Sequence, residues 1–411
     1  MNNSFLDLVF DSEKQNIFKI ACSLAVCLIF VNFVIYFGDA FLCSGVPSYM
    51  TSHHYLNYHF GLIPRAFYGA TIGELTQILP KSAYFFVWFL ICVIPYIVYF
   101  CVYLRMRKSS RNVNMLDAVA VFALVLPTTF MPLNDFFRLD IVLLNWFVLC
   151  ALSIWNRHWL RYGVPFIMII MTLTHEGAIF MFLPTLCGIA FYKAEKKIDL
   201  FYAALLCFFV LCSLGTYLYL CRTVVDPDEM DAFIQKRNTM GALLKGELSM
   251  KGHLESMHEG YLKYTFTKGF TPVVCMKFLF SIPFFAAAAS FILYIWRALY
   301  NSNPESMIRK KLIFLFFTTL SNICLLIGCD YNRWAWSWLT VNILLLFLLL
   351  GDENFKPFVP VNMKYKRFFF ITLFIFFISG AGDCHGFSRF SALCGQAVGV
   401  TVAKIYNAIL R

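Results

Sequence analysis

Six titratable side chains, Asp39, His53, His54, His59, Arg65 and Glu74, fall within 36 residues of a chain that is only 14% charged. They belong to DAFLCSGVPSYMTSHHYLNYHFGLIPRAFYGATIGELTQILPK, residues 39–81, which lies between two apolar runs. Isolated ionisable groups recur at the ends of later apolar runs. They are Asp135, Arg138 and Asp140 in PLNDFFRLD, His175 and Glu176 in THEG, Asp330 and Arg333 in CDYNRW, and Asp383, His385 and Arg389 in GDCHGFSR. Ionisable groups at membrane depth are costly and tend to face a bundle interior or a wet cavity. Their recurrence points to one polar cavity at one face of the molecule.

Each group has a structural and a chemical reading. Arg65 follows Gly-Leu-Ile-Pro and stands among aromatic residues, and its guanidinium is a planar fork suited to phosphate. Glu176, in a tight turn beside His175, either serves as a general base or pairs with a buried arginine. Asp39 either ends a helix or shares that role. His53 and His54 read as interfacial polarity more readily than as metal ligands, since no HExxH motif or acidic cluster accompanies them. Asp330 and Arg333 are three residues apart and either form a salt bridge or, beside Trp334, Trp336 and Trp338, hold a sugar or an isoprenoid phosphate. The candidate catalytic residues are Glu176, Asp39 and His175. Arg65, His59, Arg138, Asp330, Arg333 and Trp334 are the candidate substrate-binding residues, and no metal or cofactor is expected.

The elements that would position these residues are membrane helices. Hydrophobic residues make up 60% of the chain, Phe alone accounts for 47 of 411, and the mean hydropathy is +0.70. Applying a length of about 20 apolar residues per span places helices near 18–38, 83–104, 115–131, 141–156, 163–174, 177–192, 200–220, 274–296, 312–328, 334–350 and 367–381. The fold class expected is therefore all-α and polytopic, a single transmembrane domain of about eleven spans. Its connections include a first external loop (39–82), a long external loop (221–273) and an external tail (382–411) with an interfacial helix. The opening residues do not read as a cleaved signal peptide.

Five basic connections set the orientation. They are Arg105 to Arg111, Arg157 with Arg161, Lys193 with Lys196 and Lys197, Arg297 with Arg309 to Lys311, and Lys356 to Arg367. With these spans all five share the side of the amino terminus, which is cytoplasmic on the positive-inside rule. The net charge of +11 is mostly this signal, and nucleic acid is not needed to explain it. The segment between Arg161 and Lys193 strains the pattern, because it must cross and return in about 31 residues. Its helices are short, with THEG as a sunken turn. The alternatives are a re-entrant hairpin or a single span. Most of the fifteen cysteines lie in apolar spans, no CxxC pair exists, and Cys384 and Cys394 could bridge only in an oxidising compartment.

Arginines, carboxylates, histidines and aromatic surface on one face suit transfer from a lipid phosphate donor. Arginines would stabilise the departing phosphate, and a carboxylate or histidine would take the proton of the attacking hydroxyl. The span number, the late external loop, the external arginines and Asp39 just after the first span make the chain resemble the Wzy-type O-antigen (repeat-unit) polymerases. More broadly, it resembles the GT-C class of membrane glycosyltransferases. It lacks the WWDYG of oligosaccharyltransferases and an Asp-Glu pair in the first loop. The resemblance implies polymerisation of undecaprenyl-pyrophosphate-linked oligosaccharide at the periplasmic face of the bacterial inner membrane. Asp39, Arg65, Glu176 and Arg333 would then line the cavity. It also implies membrane lipids and a chain-length regulator or flippase as partners. The alternatives are a GT-C transferase using a polyprenyl-phosphate sugar, or a transporter or flippase of lipid-linked sugars.

Overall fold

A proline inside a helix removes one N–H and leaves the carbonyl four residues earlier without its donor. In this chain that vacancy is met from a neighbouring helix. Pro95 lies inside a helix of 29 residues, and the Asn145 side chain donates to the Ile91 carbonyl at 2.8 Å. The same amide also reaches the Ile141 carbonyl of its own helix. Such cross-helix repair lets a proline-containing helix pack without a bare acceptor in an apolar interior.

The computed structural model describes residues 65–125, 138–220, 272–303, 305–322 and 331–352, with isolated residues at 54–60 and 226–236. Every regular element among them is helical. In chain order the α-helices are α1 (Ala66–Ala70), α2 (Leu75–Ile78), α3 (Lys81–Ser109), α4 (Val113–Val125), α5 (Leu139–Trp155) and α6 (Val164–Thr174). They continue with α7 (Ala178–Met181), α8 (Leu183–Lys193), α9 (Lys197–Leu220), α10 (Pro272–Ser302), α11 (Ser306–Thr319) and α12 (Tyr331–Leu350). The expected spans at 18–38 and 367–381, and the tail 382–411, lie outside the described residues.

Each of the remaining expected spans overlaps helix, with shifted ends, but 177–192 is two helices, Ala178–Met181 and Leu183–Lys193, parted at Phe182, and 126–131 and 323–328 lie outside the described residues. The run 83–104 extends to Lys81–Ser109, and 274–296 to Pro272–Ser302. The run 312–328 begins earlier, at Ser306, because Arg309, Lys310 and Lys311 join the helix as its polar first turns. Among the described residues, two helices are long and apolar enough to cross a membrane, Ser82–Ser109 and Lys197–Leu220. Both turn large apolar side chains outward, among them Phe86, Ile97 and Phe100 on α3 and Phe201, Phe208 and Leu211 on α9. Helix α12 is the opposite case: it is buried on all sides from Trp336 to Leu350. A helix buried on every side forms the centre of a bundle, and α3, α4 and α10 pack around it.

Packing gathers four of the basic connections at one end. Ser109 and Ser110 donate to the carbonyls of Gly351 and Leu350. Arg157 donates to the Lys193 carbonyl at 2.8 Å and pairs with Glu195. Lys311 donates to the Ala194 carbonyl. The connection at 356–367 lies outside the described residues. Because Arg157 and Lys193 meet, α6, α7 and α8 leave this end and return to it as a hairpin. At 1.5 Å per residue the 11 residues of α6 rise only about 16 Å, roughly half the apolar thickness of a bilayer. The THEG turn therefore sits part-way along the bundle, away from the basic end.

Candidate functional site

The sequence of the turn dictates its shape. Helix α6 stops at Thr174, His175 is extended (φ −163°, ψ 125°), and α7 begins at Ala178. The Gly177 N–H donates to His175 Nδ1 at 2.9 Å, which closes the turn on its own side chain. A Cβ at position 177 would stand 3.1 Å from that nitrogen, so a glycine suits this close approach. Because Nδ1 accepts, the neutral ring carries its proton on Nε2. Nδ1 then has no proton to offer the Glu176 carboxylate oxygen 3.5 Å away, and proximity rather than a charged pair relates the two side chains.

Arg65 completes the arrangement from the first loop. It adopts a left-handed conformation (φ 66°, ψ 0°) and caps the amino end of α1, which packs against α6. A left-handed backbone is unfavourable for a residue with a Cβ, so this position carries a local backbone cost. The Arg65 Nε lies 2.8 Å from one Glu176 carboxylate oxygen and 3.0 Å from the other, and Nη2 also donates to the carboxylate. The arginine is 2% exposed and the glutamate 12%. This two-pronged, desolvated pair ties the first loop to the THEG turn.

A buried aromatic box fixes the loop behind Arg65. The His54 ring meets Tyr68, Tyr84 and Trp88 edge-on, with centroids 5.1, 5.8 and 4.9 Å away, and its Nδ1 is hydrogen-bonded to the Tyr84 hydroxyl. Tyr68 belongs to α1, the short helix opened by Arg65, whereas Tyr84 and Trp88 stand one turn apart on α3. His54 thus joins the Arg65 segment to the start of α3. The sequence reading assigned His54 to interfacial polarity. The i, i+4 spacing of Tyr84 and Trp88 is the signal that could have located its pocket.

Of the other candidates, Arg138 and Asp140 are buried where α5 begins. His59 stacks on Phe233 at 4.7 Å, so the first loop touches the 221–273 stretch there. Arg333 and Trp334 occupy the first turn of α12. Asp39, His53 and Asp330 lie outside the described residues. Among the described residues no three His, Cys, Asp or Glu side chains are grouped to hold a metal ion. The structure therefore brings Arg65, His175 and Glu176 together from two distant segments. No family model, curated protein or solved structure matches the chain.

Chemically, the guanidinium is an anion seat whose present occupant is a carboxylate from the same chain. Glu176 is the one member of the pair with partial access to solvent, and it sits at a turn rather than in a helix. A phosphate arriving at Arg65 would compete for the fork that Glu176 now fills.

Proposed function

We propose that the chain is a multi-pass protein of the bacterial inner membrane, with about eleven spans and a cytoplasmic amino terminus, that polymerises undecaprenyl-pyrophosphate-linked repeat units at the outer face. The observation that carries this reading is the desolvated Arg65–Glu176 pair at a turn part-way along the bundle, away from its basic end. An arginine fork and a carboxylate are the two groups that glycosyl transfer from a lipid pyrophosphate requires. Glu176 accepts the proton of the acceptor sugar hydroxyl, and that oxygen bonds to the anomeric carbon of the donor. The bond from this carbon to the pyrophosphate oxygen breaks, and the electron pair leaves with the pyrophosphate. Arg65 stabilises that charge, and Arg138 and Arg333, at the starts of α5 and α12, are the further cations of the proposed site.

Glycan length in a strain lacking the gene tests the reading. A polymerase leaves single-repeat species in place of a ladder. A ladder of normal spacing with altered sugars indicates a transferase using a polyprenyl-phosphate sugar. Loss of all external glycan, with lipid-linked units accumulating inside, indicates a flippase.

A further inference from the structure

The helix that follows the THEG turn is broken, and the break is bridged by two other helices. Pro184 lacks an N–H, so the Phe180 carbonyl has no donor within its helix. At Phe182 the backbone leaves helical geometry (φ −130°, ψ −42°) and separates α7 from α8. Ser321, just after α11, donates its hydroxyl to the Phe180 carbonyl at 2.7 Å and shares it with the Thr318 carbonyl at 2.9 Å. Its neighbour Asn322, 3% exposed, directs Nδ2 to the Met181 carbonyl at 3.3 Å. The Asn322 side-chain Oδ1 accepts in turn from the Ser337 hydroxyl of α12 at 3.2 Å, and Ser337 is fully buried.

Two consequences follow from where these bonds fall. Glu176 lies two residues before α7, so anchoring α7 fixes the turn that presents its carboxylate. Arg333 lies one helical turn before Ser337 on α12, so the same bridge sets the start of α12 against that turn. We infer that Ser321 and Asn322 are positioning residues that hold the THEG turn in register with both Arg65 and the first turn of α12. The part of this role that concerns turnover rests on the proposed glycosyl transfer.

Repairing the helix in a different way tests the inference on the purified full-length protein in detergent. The readout is the Arg65–Glu176 coupling, obtained from the melting temperatures of Arg65→Ala, Glu176→Gln and the double variant. The cycle is repeated in a Ser321→Ala, Pro184→Ala background. There residue 184 regains an N–H for the Phe180 carbonyl while the tie to α11 is absent. The expected result is a melting temperature near that of the parent with the coupling reduced by at least half, and retention of the coupling in Ser321→Thr. An unchanged coupling in the repaired background overturns the inference and leaves Ser321 a helix cap alone. Glycan length, measured alongside, separates the two claims. If Glu176→Gln itself leaves the ladder intact, the glycosyl-transfer reading fails, while the coupling still decides whether Ser321 positions the turn.

Discussion

Arg65 and Glu176, 111 residues apart in sequence, form a two-pronged ion pair in which neither partner is well solvated. Removing one partner of a buried pair costs about 3–5 kcal/mol, because the other charge is left uncompensated. Arg65→Ala is therefore expected to lower the melting temperature clearly. Glu176→Gln should do so less, since its amide oxygen can still accept one guanidinium bond. The double variant should fall short of the sum of the two by about 1 kcal/mol or more. Thermal or denaturant unfolding of the three variants checks this, and simple additivity would mean that the pair is not formed.

Gly73 and Gly163 offer a matched contrast. A Cβ on Gly73 would lie 2.1 Å from the His54 carbonyl oxygen, a backbone atom that cannot swing aside, whereas one on Gly163 meets nothing within 4 Å. Gly73→Ala should therefore cost about 1–3 kcal/mol by overpacking and displace the loop that carries Arg65. Gly163→Ala should be close to neutral. Equal melting temperatures for the two variants would place the first loop elsewhere.

The Asn145 amide and Pro95 form a similar test within the bundle. Asn145→Leu should destabilise by about 1–3 kcal/mol, the penalty for leaving the Ile91 carbonyl buried without a donor. Adding Pro95→Ala restores an N–H within the helix and should recover most of the loss. Failure of the second substitution to recover stability would assign the Asn145 effect to packing instead.

Much of the helical framework was legible in the amino-acid order, because long apolar runs between Lys and Arg clusters leave few other conformations. The hairpin with THEG at its tip is an example. The break at Phe182 was missed, although Pro184 marks it, because the apolar run from 177 to 192 reads through it without a polar interruption. The sequence reading held open whether Glu176 is a base or the partner of a buried arginine. It could not identify the partner as Arg65, since a contact across 111 residues depends on α1 packing against α6 and has no local signature. Ser321 and Asn322 escaped for the same reason: they look like the polar end of an apolar run until Phe180 and Met181 are placed opposite them.

The extracted surface glycan of a deletion strain, complemented with the wild-type chain or with Glu176→Gln, tests the central claim most directly. The account predicts a restored ladder with the wild-type chain. With Glu176→Gln it predicts only single-repeat species, at comparable protein level in the membrane fraction. A full-length ladder from Glu176→Gln, or one that persists without the gene, would contradict it.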